Sequence, residues 1–351
     1  MSAESNLHFL RAEHGDAFIL SVKEGERETN VVIDSGPKQA YMTVTKEWEK
    51  LKSIDLLVIT HFDEDHSGVL SDYLVRKPAF ADKVKKFWLN CPGVIPCDKK
   101  NTVAGTDDCK TLKDFFCDME KKGKAYDWRD KVLCGTKYVD DNGLVCLHVI
   151  APNEETKECF AKEYIKRTQD NTIVASSTTV DEAMKKSLEE LNILPSPSTE
   201  QTVNGSSISF ILETADGRRF LFLGDVTEKQ VIDYLTSQGY SEKNKLKVDY
   251  VKMPHHGSNK NISEHLLNLI ECNHYIISTN GGRGNTKHPD RQTIAKILLH
   301  ETPGEREHIT LHFNYTLEEM EKKGTRFLKW EEIDDKRYNF RIETHNELLQ
   351  I

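Results

Sequence analysis

The chain's 351 residues suffice for one large elaborated domain or two ordinary ones, and 37% hydrophobic against 30% charged residues makes it polar yet able to bury a core. A formal charge of −9 argues against a surface given over to nucleic acid, unless some acids are neutralised by cations they hold. No apolar run reaches the length of a membrane span, the start MSAESNLHFL lacks a signal-peptide layout, and eight scattered cysteines read as reduced thiols, so a soluble cytoplasmic protein is expected.

In chain order, NLHFLRAEHGDAFILSV and TNVVIDSGP read as a hairpin turning at KEGERE. AYMTVTKEWEKLKS has helical spacing, and IDLLVI, short, β-branched and nearly free of charge, reads as a buried strand. DKVKKFWLNCPG gives another strand. An insertion over about 94–139 holds the helix DCKTLKDFFCDMEKKG, and GLVCLHVIAP is a strand ending at Pro152. A second polar insertion, about 153–203, carries the helical pieces KECFAKEYIKR and VDEAMKKSLEELN, either as a lid over one face or as a solvated excursion. SSISFILET and RRFLFLGD are strands joined by an ADGR turn. Helix TEKQVIDYLTSQ, strand VDYVKMP, helix SEHLLNLI, strand HYIISTN and helix RQTIAKILLH follow, and a β-rich closure is expected from about 305, HITLHFNY to NFRIETH.

One internal echo stands out. VVIDSG and FLFLGD are apolar strands ending on an acid beside glycine, and each leads through a helix to a strand ending on histidines, LLVITHFDEDH and YVKMPHHGS. Two such units suggest a pseudo-symmetric sandwich, two sheets flanked by helices, with a site where the strand ends converge.

Imidazole and carboxylate together are the ligand set of a divalent metal. His61 and Asp63 alternate, so along an extended turn both point toward one cation, while Asp65 and His66 reach a second. Asp225 is placed to bridge the two, and one of His255 and His256 completes the second site while the other supports it; His256 is the favoured ligand. Two cations about 3.5–4 Å apart clamp a phosphodiester for in-line attack. Aspartate at position 63 adds hard oxygen, so Mn²⁺ is favoured, with Zn²⁺ or Mg²⁺ next. Asp34 either makes a turn or hydrogen-bonds a histidine, the latter preferred, and Ser258 and Lys260 are weaker candidates for phosphate contacts. Cys91, Cys97, Cys109 and Cys117 match no zinc-finger spacing and read as buried small apolar residues.

THFDEDHSG resembles the HxHxDH metal motif of the metallo-β-lactamase fold, with aspartate for the second histidine. With HGDA and IDSG upstream and GD, PHHGS and HP downstream, in order from about His8 to His312, the chain resembles the ComEC-type branch, nuclease-like domains attached to DNA-uptake channels. The membrane part of those proteins has no counterpart here. The resemblance implies an α/β four-layer αββα sandwich over 1–351, two divalent ions, and hydrolysis of DNA by a metal-activated hydroxide, with Asp65 and His288 catalytic. His288 in GNTKHPD is similar to the family's YGHP, Asp16 in EHGDAF to its GQGDA, and Asn204 in VNGSSISF to its NNxS. Where the family often has a histidine before the proline that follows the middle strand, Ala151 stands here, with His148 three residues off, so the first metal site is expected to be weak. A role in bacterial defence or genome maintenance, beside a partner such as an ATPase, is a further implication. Two other functions stay open: hydrolysis of a small ester, thioester, lactone or cyclic nucleotide, and an interaction subunit with a structural metal.

Overall fold

The computed structural model describes residues 2–91, 106–158, 180–197, 203–282, 284, 287–300, 308–345 and 348–350. Its strands in chain order are β1 Glu4–Phe9, β2 Phe18–Glu24, β3 Arg27–Ile33, β4 Leu56–Ile59, β5 Phe87–Leu89, β6 Trp128–Arg129, β7 Lys137–Val139, β8 Val145–Ala151 and β9 Ser209–Thr214. They continue with β10 Arg219–Phe222, β11 Leu246–Lys247, β12 Tyr250–Lys252, β13 Ile270–Glu271, β14 His274–Ile277, β15 Ile309–Phe313, β16 Phe340–Thr344 and β17 Leu348–Gln350. One sheet runs β17-β1-β2-β3-β4-β5-β6 and the other β16-β15-β14-β12-β10-β9-β8-β7, while β11 and β13 form a small pair.

The helices are α1 Tyr41–Lys50, α2 Glu64–Arg76, α3 Thr106–Lys121, α4 Val180–Lys185, α5 Leu188–Asn192, α6 Glu228–Ser237, α7 Glu264–Asn268, α8 Arg291–Leu299, α9 Leu317–Lys322 and α10 Trp330–Ile333. Three apolar clusters account for the layering. Strand alternation turns Leu56 and Val58 inward, where they meet Phe210 and Phe222 of the other sheet, and turns Leu57 and Ile59 outward onto Trp48 and Leu70 of α1 and α2. Across the second sheet, Val251, Ile277 and Leu311 pack outward against α6, α7 and α8. Each such side chain contributes roughly 1.5–3 kcal/mol by leaving water. The four layers are therefore helix, sheet, sheet, helix, the αββα class read from the sequence.

The internal echo is also present. β3 and β4 pair in parallel across α1, as β10 and β12 do across α6. Asp34 and Asp225 stand at equivalent strand ends, and the histidines after β4 and β12 lie on the same edge of the sandwich.

The β-rich closure after 305 also holds helices: α9 and α10 lie between β15 and β16, and α9 starts on a reciprocal cap between Thr316 and Glu319. The described residues of the second insertion from 183 to 195 pack on α8. Their carbonyls at Ala183, Lys186, Asn192, Leu194 and Pro195 accept hydrogen bonds from Arg291, Gln292 and Lys296, which ties them to α8. Most of KECFAKEYIKR lies outside the described residues, as do Cys97 and Cys159; the six described cysteines are free.

Candidate metal centre

Asp34 follows β3 in a left-handed conformation that aims its carboxylate across to β4. One oxygen accepts from the Thr60 backbone N–H at 2.7 Å, and the other accepts from His66 Nδ1 at 2.8 Å. That bond fixes the His66 tautomer and leaves Nε2 facing inward. The same device recurs twice. His255 Nδ1 donates to Asn261 Oδ1 at 3.1 Å, and His256 Nδ1 donates to the Ser278 carbonyl at 3.0 Å. Each imidazole is thus held by one nitrogen and offers the other.

What the free nitrogens face is carboxylate. His61 Nε2 lies 3.6 Å from Asp63 Oδ2 and 3.7 Å from Asp225 Oδ2, and His255 Nε2 lies 3.7 Å from that same Asp225 oxygen. On the other side, His66 Nε2 lies 3.3 Å from Asp225 Oδ1, and His256 Nε2 lies 3.2 Å from Asp65 Oδ2. The two oxygens of Asp225 are divided between the two groups. Asp63 precedes α2 without capping it, so its carboxylate stays available, and Asp65 occupies the first turn, where the helix dipole favours an acid.

His61, His66 and Asp225 are buried, yet His61 Nε2, His66 Nε2 and Asp225 Oδ1 have no hydrogen-bond partner. Orphaned polar atoms at such depth are costly unless something fills the space between them. Divalent cations fit this donor set. His61, Asp63, Asp225 and His255 would hold one ion, and Asp65, His66, Asp225 and His256 the other.

No family model matches the chain, and no curated protein matches it. Among solved structures it is similar to the metallo-β-lactamase fold protein YhfI from Bacillus subtilis, at 7% identity and TM-score 0.38, covering 78% of this chain and 85% of that one. It is similar to a long form RNase Z from yeast at 8% identity and TM-score 0.37, covering 88% and 36%. A mutant of the Cronobacter sakazakii metallo-β-lactamase with a HARLDQ motif gives 10% identity and TM-score 0.30, covering 67% and 70%. Identities and scores this low leave function to be read from the site's own side chains.

Several placements differ from the sequence reading. His255 and His256 face different carboxylates, Asp225 and Asp65, where the sequence reading took one as ligand and the other as its support. Both have positive φ, 47° and 54°, and with Asp34 they make up three of the five described non-glycine residues in that region. Such conformations cost of order 1–3 kcal/mol each and persist at functional sites. Asn204 is beside the cluster, with Nδ2 3.4 Å from Asp225 Oδ2. His288 stands at the rim, its ring 5.2 Å from that of His255 and its Nδ1 3.5 Å from Asp290. Ser258 is buried and its hydroxyl accepts from the Lys260 backbone N–H at 3.4 Å. Lys260 is half-buried on the same loop.

Asp16 is buried 3.4 Å from His256 Nδ1 and pairs with Lys252, a residue the sequence reading passed over as part of a strand. The signal was a lone lysine inside the apolar run YVKMP. Gly15 permits the approach: the Asp16 N–H donates to the Asp65 carbonyl at 3.1 Å, and a Cβ on Gly15 would lie 2.0 Å from that oxygen.

Burial opposes charge at all these groups, and in most of them the neighbours prevail. Against burial, Asp225 and Asp34 raise His66 well above its ordinary value, and Asp16 and Asp65 raise His256 to about 10. Against burial, His256 and His66 hold Asp65 far below the carboxylate range, and His255, His66 and His61 do the same for Asp225. His255 is the exception, where burial prevails and lowers it to about 4. The ion-free cluster therefore balances its carboxylates with protons on His66 and His256, which a cation would displace. Ion binding is expected to release protons, and affinity should rise about tenfold per pH unit for each proton released between pH 6 and 8. Calorimetry in buffers of different protonation enthalpy measures that count. In the ion-free protein the depressed carboxylates contribute stability above about pH 4 that is lost in acid, whereas the raised histidines contribute below about pH 6.5 and lose it toward pH 10.

Proposed function

We propose that this chain is a metal-dependent phosphodiesterase, a nuclease acting on DNA. The observation that carries the reading is the division of Asp225, one oxygen toward His61 and His255 and the other toward His66, with the imidazoles presenting Nε2. Bound at these residues, two divalent ions supply Lewis-acid polarisation of a phosphoryl oxygen and activation of water. Nitrogen and oxygen donors are mixed in both halves, which suits Mn²⁺ or Zn²⁺.

The protein's own part is positional. His61, His66 and Asp225 are closed off from solvent, whereas Asp63, Asp65 and His255 keep part of their side chains exposed and line the mouth. A phosphodiester reaching these residues would meet them from that side. Asp65 is held too acidic to accept a proton at neutral pH, so its role is to hold charge and orient His256. His288, at the rim with Nδ1 3.5 Å from Asp290 Oδ2, would give a proton to the leaving oxygen as the P–O bond breaks.

Supercoiled plasmid incubated with Mn²⁺ should be nicked or linearised, and EDTA should stop it. His288→Gln should lower the rate about 10²–10⁴-fold without changing the bound metal. An ion-loaded protein that leaves plasmid intact but turns over a small phosphodiester or thioester would replace DNA with that smaller substrate.

A further inference from the structure

A second set of histidines lies away from this centre, on the second sheet. Ile309, Leu311 and Phe313 of β15 face the helices, so Thr310 and His312 face the first sheet, and the same alternation puts His274 of β14 on that inner side. Much of the layer between the sheets is apolar. At its β16 edge, imidazoles stack instead: His274 on His312 with centroids 5.2 Å apart and His312 on His345 at 5.1 Å, while Tyr250 lies tilted against His274 at 5.0 Å. Valine or isoleucine would serve packing better, so the imidazoles call for another reason.

We propose that His312, His345 and Glu343 form a separate metal site for one divalent ion of Zn²⁺ type. His312 Nδ1 lies 2.9 Å from His345 Nε2 and 3.6 Å from Glu343 Oε2, and His345 Nε2 lies 3.7 Å from that same oxygen. A tetrahedral ion with bonds of about 2.0–2.1 Å has ligand atoms about 3.3 Å apart, which falls among these three spacings. The surroundings point the ligands inward. Glu343 Oε1 is 2.9 Å from Arg341 Nε, which leaves Oε2 to the imidazoles. His274 Nδ1 lies 3.0 Å from His312 Nε2, so once His312 gives Nδ1 to an ion its Nε2–H donates to His274, the usual support of a metal-bound imidazole. Two imidazoles with one carboxylate prefer a borderline ion to Mg²⁺ or Ca²⁺. Glu343 and His345 are part-exposed, so an ion can enter and keep one position open to solvent. Its effect would be to fasten the residues after β16 onto β15.

The test counts zinc in the full chain after chelation, reloading and dialysis. Asp225→Ala is expected to retain one zinc per chain, to gain thermal stability when zinc is added, and to lose both properties when His345→Ala is combined with it. Glu343→Gln in the otherwise unaltered chain should lower the zinc count by one, which gives the same answer if the Asp225 variant does not fold. A folded Asp225→Ala protein that holds no zinc, or an unchanged count in Glu343→Gln, would overturn the site. None of these readouts depends on hydrolysis, so the outcome is separate from the phosphodiesterase reading.

Discussion

Asp225→Ala is expected to lower the bound-metal count by two per chain and the hydrolytic rate by about 10³-fold or more. The magnitude follows from the ions' share of transition-state stabilisation, several kcal/mol, at about 1.4 kcal/mol per factor of ten. Both halves should fail together, because one oxygen of Asp225 faces His61 and His255 and the other faces His66. Elemental analysis beside a plasmid assay reads both quantities. Loss of a single ion would mean that Asp225 serves one half only, and an unchanged rate would place the activity elsewhere. Asp34→Ala makes the graded comparison: it removes the partner of His66 Nδ1 without removing a ligand, and should weaken one half by about 10–100-fold.

Much of this cluster could be read from the sequence because it is local. His61 and Asp63 leave a short buried strand, Asp65 and His66 begin the helix behind it, and Asp225 repeats the strand-end position of Asp34, so alternation and helical spacing suffice to bring them to one edge. The division of labour between His255 and His256 was not legible, because it depends on two consecutive left-handed residues that turn neighbouring side chains to opposite halves. The two short helices of the closure were legible in part: TLEE at Thr316–Glu319 is a capping box, overlooked within a stretch read as β. The stacked histidines at the β16 edge come from β14, from β15 and from the residue that follows β16, and become a set only when the parallel pairing of these strands aligns them.

The largest stability effect is expected at Lys252, which binds no ion. Its ammonium is buried at the end of β12, where it pairs with Asp16 and lies 3.3 Å from the Gly224 carbonyl. Against burial, Asp16 and Asp225 raise its pKa above the ordinary lysine value, so it is charged at neutral pH. Lys252→Met nearly preserves the volume but strands the Asp16 carboxylate without its cation, and breaking a buried pair from one side costs about 3–5 kcal/mol. Adding Asp16→Asn should recover most of that loss, because replacing both partners removes the uncompensated charge. Urea denaturation of the ion-free single and double variants measures the difference. A single-variant loss below about 1 kcal/mol would show that His256, 3.4 Å away, already neutralises Asp16 by itself. Recovery in the double variant together with weakened metal binding would show that the pair keeps His256 in place through Asp16, so that a buried ion pair outside the ligand set governs how tightly the second half holds its ion.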